Sequence, residues 1–433
     1  MTRAVRFGTD GIRGRALDEV TIDLAYRLGH AVASVFDAPV FVGYDTRESS
    51  PPLAAAVLAG LHDARATGVN LGLFTTPGVA VIAHQRAGAG VVVSASHNPY
   101  YDNGLKVLGI GGGKISQDIE LALTLALVAA PTASTSSFVA PSIDELAQHA
   151  YASHLRRLVP RDLSSLHVVL DCANGAASHV AHELFTATGA KVTMLHDQPN
   201  GRNINEACGS THVDDLVATV SALGADLGLA FDGDADRLIA VDANGTVRDG
   251  DDLLVLFALD LQRREMLGGG LVVTTMSNLG LHRALAERDI EIVETDVGDR
   301  NVVLALEERA WALGGEQSGH LIFRTLAPSG DGLLTGLLLA DLVVRNGPLF
   351  DQATALWHRV PQALVNVSYG VYDDLFVHAL FDELCARYQI AAPDVRLLVR
   401  PSGTEPVVRV MIEALDATFV HDFTQRLLGH FLA

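Results

Sequence analysis

The sequence predicts an α/β protein made of three related α/β units followed by a smaller α+β domain. Three observations carry this reading. Strand-length apolar runs recur at 40–47, 167–175 and 271–278, and each ends in polar or glycine residues before an amphipathic helical pattern. Each stretch then has another strand-like run ending in an unusual loop: "VVVSASHNP" (91–99), "LGLAFDGDADR" (227–237) and "WALGGEQSGH" (311–320). From about residue 361 the pattern changes to "PQALVNVSYG", a helical stretch, "VRLLVRPSGTEPVVRVMIEA" and a final helix, which reads as α+β with a hairpin-like strand pair.

Boundaries follow from composition. The polar connector "PTASTSS" (131–137) separates the first unit from the second, and "NGTVRDGD" precedes the third. This gives domains at 1–150, 151–250, 251–360 and 361–433. The length of 433 residues suits roughly two to four domains.

Composition narrows the function classes. Hydrophobic residues are 49% and charged residues 19% of the chain, enough for sizeable cores. The net charge of −20 disfavours nucleic acid and acidic membranes as partners. An anionic substrate would therefore need a locally basic site. The three cysteines, Cys172, Cys208 and Cys385, form no Cys-x-x-Cys pair, so they read as buried free thiols in a reducing compartment. The start "MTRAVRFGTDGIRG" has no apolar core of a secretory signal, and the longest apolar run, 121–130, is too short to span a bilayer. A cytoplasmic enzyme is the expectation.

In the first unit, the helical pattern 51–67 follows the opening strand. The strand "VVV" then ends in Ser94, Ser96, His97 and Asn98 before Pro99, more polar residues than a turn requires. Both serines would lie on one side of an extended strand end. Caps and turns also use serine and asparagine, so taken alone this loop reads as a turn. Further on, "GIGGGKIS" (109–116) hints at a phosphate-binding P-loop, but Ile115 stands where Ser or Thr is required and no buried strand is seen leading in, so it reads as a glycine-rich turn.

In the second unit, the helical pattern 176–188 precedes the loop carrying Asp232, Asp234 and Asp236. On an extended segment these alternate onto one face. Three carboxylates there repel unless a cation joins them, and oxygen ligands suit Mg²⁺ or Ca²⁺. A calcium EF-hand fails, because its glycine and glutamate positions hold Arg237 and Ala243. A solvated acidic turn is the bland alternative, but the apolar "LGLAF" before it places the loop at an interior strand end. Beside such a site the serine loop gains weight, since a phosphoserine oxygen would be a good Mg²⁺ ligand.

In the third unit, the pattern 279–288 leads toward a loop with Glu316, Ser318 and His320 between glycines. Glu316 and Ser318 could grip sugar hydroxyls, and His320 could move a proton near neutral pH. In the last domain, "RPSGTEP" (400–406) offers Ser402, Gly403 and Thr404 as a phosphate nest, flanked by Arg400 and Arg409.

Together these stretches resemble the α-D-phosphohexomutase superfamily over nearly the whole chain. "FGTDGIRG" (7–14), "SASHNPYYDNG" (94–104), "DCANGA" (171–176), "NINEACGSTH" (203–212), "DGDADR", "GGEQSGH" and "RPSGTEP" occur in the family's order. "FGTDGIRG", "CGSTH", Gln317 and "PQALVNV" (361–367) point to the glucosamine branch, with the mannose and glucose branches as the alternative. The resemblance implies four domains around a central cleft, three with mixed sheets. It implies interconversion of glucosamine 6-phosphate and glucosamine 1-phosphate, on the route to UDP-N-acetylglucosamine. By position, Ser96 would be the phosphorylated serine, and Asp232, Asp234 and Asp236 would hold Mg²⁺ with its phosphate. Lys106 and His320 match positions linked to acid–base work, and Arg13 would sit by the phosphoserine. His97, Asn98 and Arg237 would support these loops. Glu316 and Ser318 would bind the sugar, while Arg400, Ser402, Gly403, Thr404 and Arg409 would hold the non-reacting phosphate.

A sugar 1,6-bisphosphate, of glucose or glucosamine, would serve as activator and intermediate. The expected partner is a small sugar phosphate; a homodimer and an activating kinase are left open. Ser94 is left as a supporting donor or a weak substitute acceptor. Two departures from the family pattern, Ser50 and "APSGDG" (327–332), are expected to alter local backbone shape without touching the four loops. A metal-binding regulatory phosphoprotein without catalysis is the competing class, disfavoured by the presence of Ser96, Lys106 and the phosphate loop together.

Overall fold

The computed structural model describes residues 11–133, 139–347, 357–402 and 406–431. Its strands form four separate sheets. The first contains β1 (Ile12–Arg15), β2 (Val40–Tyr44), β3 (Gly68–Leu73), β4 (Ala89–Val93) and β5 (Asp102–Leu108), ordered β1-β5-β4-β2-β3. The second contains β6 (His167–Asp171), β7 (Lys191–Leu195), β8 (Leu227–Phe231), β9 (Leu238–Asp242) and β10 (Val247–Arg248), ordered β10-β9-β8-β6-β7. The third contains β11 (Gly270–Thr274), β12 (Glu291–Thr295), β13 (Leu313–Gly315) and β14 (Leu321–Phe323), ordered β12-β11-β13-β14.

One plan recurs in all three. One strand (β2, β6 or β11) pairs in parallel with the next two strands, and the second of those pairs antiparallel with the strand after it. The central parallel strands β4, β8 and β11 are buried along their whole length. That is why they read as unbroken apolar runs rather than alternating ones. The sheet arrangement matches the mixed α/β units expected from the sequence.

The sequence reading places only one strand before each loop-bearing strand. The structure inserts another, β3, β7 and β12. These lie at sheet edges and are largely half-exposed. Their weak apolar pattern follows from having little to cover.

The units share their core. One apolar cluster runs from Phe74 and Tyr151 through Phe185 and Phe231 to Phe257 and Phe323. Helix Glu145–Leu158 brings Tyr151 against Phe74 of the first unit, so a division at 150/151 falls within a helix. Helix Gly332–Asn346 reaches back to the second sheet, where a Cβ on Gly336 would come 2.9 Å from Leu229. The last unit has its own core around Val377, Phe419 and Phe423, beneath a sheet of β15 (Gln362–Ser368), β17 (Val407–Ala414) and β16 (Val395–Pro401). No described helix is long and apolar enough to cross a membrane.

Candidate active site

The three unusual loops occupy one topological position. Each joins the last parallel strand of its unit to the antiparallel strand that follows, β4–β5, β8–β9 and β13–β14, at the carboxyl end of the parallel strand. Open α/β sheets collect ligands at that edge.

Ser96 and the aspartates meet directly. The Ser96 hydroxyl donates to Asp232 Oδ2 at 2.5 Å, and both residues are buried. Asp232, Asp234 and Asp236 each place a carboxylate oxygen within 4.8 Å of the others. The segment is a turn with Ala235 at φ 61°, not the extended alternation expected from sequence. The turn converges the carboxylates by folding rather than by strand pleat. Burial and the charges of Asp236 and Asp234 raise the pKa of Asp232 well above the ordinary carboxylate range. Burial also disfavours ionised Asp236, but Lys106 and His320 outweigh it and hold its pKa well below the usual value.

The triad suits a hard divalent cation. Asp234 Oδ1 and Asp236 Oδ1 are shielded from solvent and make no hydrogen bond among the described residues. Buried carboxylate oxygens without donors are costly unless a cation takes their lone pairs. All-oxygen donors are the set that Mg²⁺ prefers.

Several expected residues surround this junction. Lys106 on β5 donates to Asp234 Oδ2 at 2.7 Å and lies 3.5 Å from Asp236. His320 places Nδ1 3.6 Å from Asp236 and Nε2 3.6 Å from Asp299. Burial alone would lower its pKa, but Asp236, Asp299 and Glu316 raise it to about 9, so the ring is cationic at neutral pH. The His97 Nδ1 lies 3.4 Å from the Ser96 hydroxyl. Burial, with the charges of Arg237 and Arg13, lowers its pKa to about 4, leaving it neutral. The backbone N–H of Arg237 donates to Asp232 Oδ1 at 3.2 Å.

The serines separate. Ser96 turns toward Asp232 with φ 54°, whereas the Ser94 hydroxyl donates to Asp45 at 2.6 Å and accepts the Ser96 N–H at 2.9 Å. They do not share one side of an extended strand, because the chain turns between them. Ser94 thus braces the loop.

Other expected residues form a second group. The Glu316 carboxylate accepts the Gly298 N–H at 3.1 Å, and the buried Ser318 hydroxyl oxygen has no hydrogen-bond partner among the described residues. Arg400 faces Arg409 across β16 and β17. Burial and Arg409 lower the Arg400 pKa, while Asp296 and Glu316 oppose them. Facing like charges repel, so this pair is suited to an anion. Ser402 is buried at the strand end. Gly403 and Thr404 lie outside the described residues.

The structure adds residues that the sequence reading missed. Arg47, fully buried, pairs with Asp45 at 2.9 Å. It also donates to the carbonyls of Ser96 (2.9 Å), Asn98 (2.8 Å), Asp102 (3.1 Å) and Pro99. From the second unit, the Asn205 side chain donates to the carbonyls of Ser96 at 2.9 Å and Asn98 at 3.0 Å. The Thr76 hydroxyl donates to Asp234. Asp45 and Arg47 follow the carboxyl end of β2.

Three expectations need correction. Ser50 is part of the loop's support, because its hydroxyl donates to Asp45 at 2.7 Å. Gly330, in "APSGDG", packs on the His320 ring: a Cβ there would come 2.4 Å from Nε2. A buried strand, β5, does lead into "GIGGGKIS". Lys114 of that stretch pairs with Asp299 at 2.6 Å, so the lysine serves a carboxylate bridge toward the third unit.

Comparisons with known proteins agree along the chain. Models of the phosphoglucomutase/phosphomannomutase family match residues 4–129 (alpha/beta/alpha domain I), 147–245 (domain II), 249–360 (domain III) and 388–429 (C-terminal domain). The chain is 43% identical to the phosphoglucosamine mutase of Rhodococcus opacus, with 98% of each chain covered. It is 43% identical to the phosphoglucosamine mutase of Thermobifida fusca, covering 99% of this chain and 97% of that one. Among solved structures, a phosphoglucomutase/phosphomannomutase family protein from Burkholderia thailandensis has TM-score 0.80 and 26% identity, covering 99% and 98%. The Aspergillus fumigatus N-acetylphosphoglucosamine mutase, solved with GlcNAc-6P and magnesium, shares the fold at TM-score 0.68 and 18% identity, covering 99% and 95%.

Proposed function

The chain belongs to the phosphoglucomutase/phosphomannomutase family, and from that premise we propose that it catalyses the phosphoglucosamine mutase reaction, interconverting glucosamine 6-phosphate and glucosamine 1-phosphate. The observation that carries the reading is the hydrogen bond between Ser96 and Asp232 inside a buried carboxylate triad. It occurs in a chain 43% identical to phosphoglucosamine mutases over nearly its full length.

In this reading Ser96 carries a phosphoryl group, received from a sugar bisphosphate or an activating kinase. Asp232, Asp234 and Asp236, with an oxygen of phospho-Ser96, would hold Mg²⁺. When bound, that ion neutralises the carboxylates and withdraws charge from the phosphoryl group. As the O–P bond to Ser96 breaks, a new O–P bond forms to a substrate hydroxyl, whose O–H bond breaks, and a proton is returned to the Ser96 oxygen, giving glucosamine 1,6-bisphosphate. Ser96 then takes back the other phosphate after the intermediate has turned around. His320, cationic at neutral pH, is assigned to stabilise developing negative charge or to donate a proton. Lys106, held against Asp234, supplies a second positive charge. Glu316 and Ser318 are assigned to the sugar, and Arg400, Ser402 and Arg409 to the phosphate not in transfer. Arg13, His97, Asn98 and Arg237 are assigned to the carrier loop and its surroundings.

The test is a mutase assay on glucosamine 6-phosphate with Mg²⁺ and a trace of glucose 1,6-bisphosphate, run on wild type and Ser96→Ala. Turnover in the first and near-complete loss in the second is expected. Turnover surviving in Ser96→Ala would move the carrier elsewhere. Preference for mannose or glucose phosphates over glucosamine phosphates would overturn the substrate assignment.

A further inference from the structure

A second cluster of ligating side chains lies outside this machinery. Asp171 ends β6, His196 directly follows β7, and Cys208 precedes a short turn of 3₁₀ helix, Gly209–Thr211. Each offers one ligand atom, and the three atoms lie within 4.8 Å of one another. Asp171 and Cys208 are fully buried. We infer that these residues form a second cation site, for a borderline-soft divalent ion such as Zn²⁺.

The donor set is the first argument. A thiol, an imidazole and a carboxylate suit Zn²⁺ and not Mg²⁺. Zn–ligand bonds of about 2.0–2.3 Å put neighbouring tetrahedral ligands about 3.3–3.7 Å apart. His196 Nδ1 lies 3.1 Å from Asp171 Oδ2, close to that range, and no pair of ligand atoms is farther apart than 4.8 Å.

The second argument is independent of the donor set. His196 Nδ1 is shielded from solvent and lacks hydrogen-bond geometry even to the nearby Asp171. Its other nitrogen, Nε2, lies 3.3 Å from Asp215 Oδ2. A carboxylate behind a histidine fixes the proton on the outer nitrogen and points the inner lone pair at a metal. The rest of the cluster is also held in place. Asp171 accepts the Ala173 and Gly209 N–H groups at 2.9 Å each, and the Asn174 side chain approaches the Cys208 sulfur at 3.9 Å.

Burial and the charge of Asp171 push the Cys208 thiol up to about 12, so it is neutral without a cation. On binding, the metal–sulfur bond forms as the S–H bond breaks, and the proton passes to bulk buffer. The site also adjoins the carrier loop, because Asn205, three residues before Cys208, holds the Ser96 carbonyl.

The test is a Co²⁺ titration of the full chain, stripped of metal and resupplied with saturating Mg²⁺ to fill the aspartate triad. A thiolate-to-cobalt charge-transfer band should appear, saturate at one ion per chain and disappear when Zn²⁺ is added. Cys208→Ser should abolish the band and Cys385→Ser should leave it. Asp215→Asn, at a side chain 68% exposed, should keep the band but weaken Co²⁺ binding about 10–100-fold. No thiolate band in wild type, or a band that survives Cys208→Ser, would overturn the site. If Cys208→Ser does not fold, Asp215→Asn still decides, since unchanged Co²⁺ affinity contradicts the role given to His196.

Discussion

Replacing Arg47 by methionine tests how the carrier loop is held. The guanidinium is fully buried, pairs with Asp45 at 2.9 Å and collects carbonyls from Ser96, Asn98, Pro99 and Asp102. Methionine fills much of the volume but donates nothing. Removing one partner of a buried ion pair typically costs about 3–5 kcal/mol, because the other charge is stranded. Here Asp45 keeps three donors, the hydroxyls of Ser94 and Ser50 and the backbone N–H of residue 47, so the lower end of that range applies to the carboxylate. The stranded carbonyls add to it until the loop opens to water. A loss of about 3–5 kcal/mol lowers the melting point by roughly 6–20 °C for a domain of this size. Calorimetry should show that fall in the first unfolding transition, and mutase turnover should fall with it. Arg47→Lys keeps the charge but has only three donors and no planar fork, so its loss should be intermediate. In Asp45→Asn/Arg47→Met the two losses should sum to less than the singles by about 0.5–3 kcal/mol. A melting point and turnover like wild type in Arg47→Met would refute the reasoning.

Other outcomes follow from the same geometry. In Gly233→Ala the new Cβ would come 2.6 Å from the Ser96 carbonyl oxygen, so the metal loop must retreat; turnover should drop about tenfold or more, a barrier rise of about 1.4 kcal/mol, measured at saturating substrate. Burial raises the Asp331 pKa to about 6. Between pH 4 and 6 the folded state therefore keeps a proton that the unfolded chain has released, and stability should fall as pH rises through that window, by at most roughly 3 kcal/mol. Asp331→Asn retains the cap on Leu334 and should flatten the melting-point profile there; an unchanged slope would assign it to other groups. Chelation should abolish turnover and lower the melting point, and Mg²⁺ should restore both, because the triad's mutual repulsion returns without a cation. Asp234→Asn should lose turnover while its circular dichroism stays that of wild type.

The sequence displayed the loops more clearly than the framework around them. Residues 94–98, 232–237 and 316–320 stand out because polar groups interrupt buried runs, and burying a polar group demands a reason. The edge strands β3, β7 and β12 were missed because half-exposed strands need no apolar alternation. The turn at Asp232–Asp236 was misread as extended, since Asp-x-Asp-x-Asp spacing does not itself distinguish pleat from turn. Arg47 was unreadable for another reason. One arginine after a strand resembles any helix flank, and its partners are carbonyls from a distant loop, which carry no side-chain signature.

The facing pair Arg400 and Arg409 has a kinetic consequence. In the proposed cycle the bisphosphate must leave its first grip, rotate half a turn and be caught again by the opposite end. A clasp too strong would trap it halfway. Two cations forced together across a strand pair repel each other in the empty site, so capture of either phosphate relieves them and release restores the repulsion. In that cycle, recapture of the intermediate by either end would depend on the register of two β-strands.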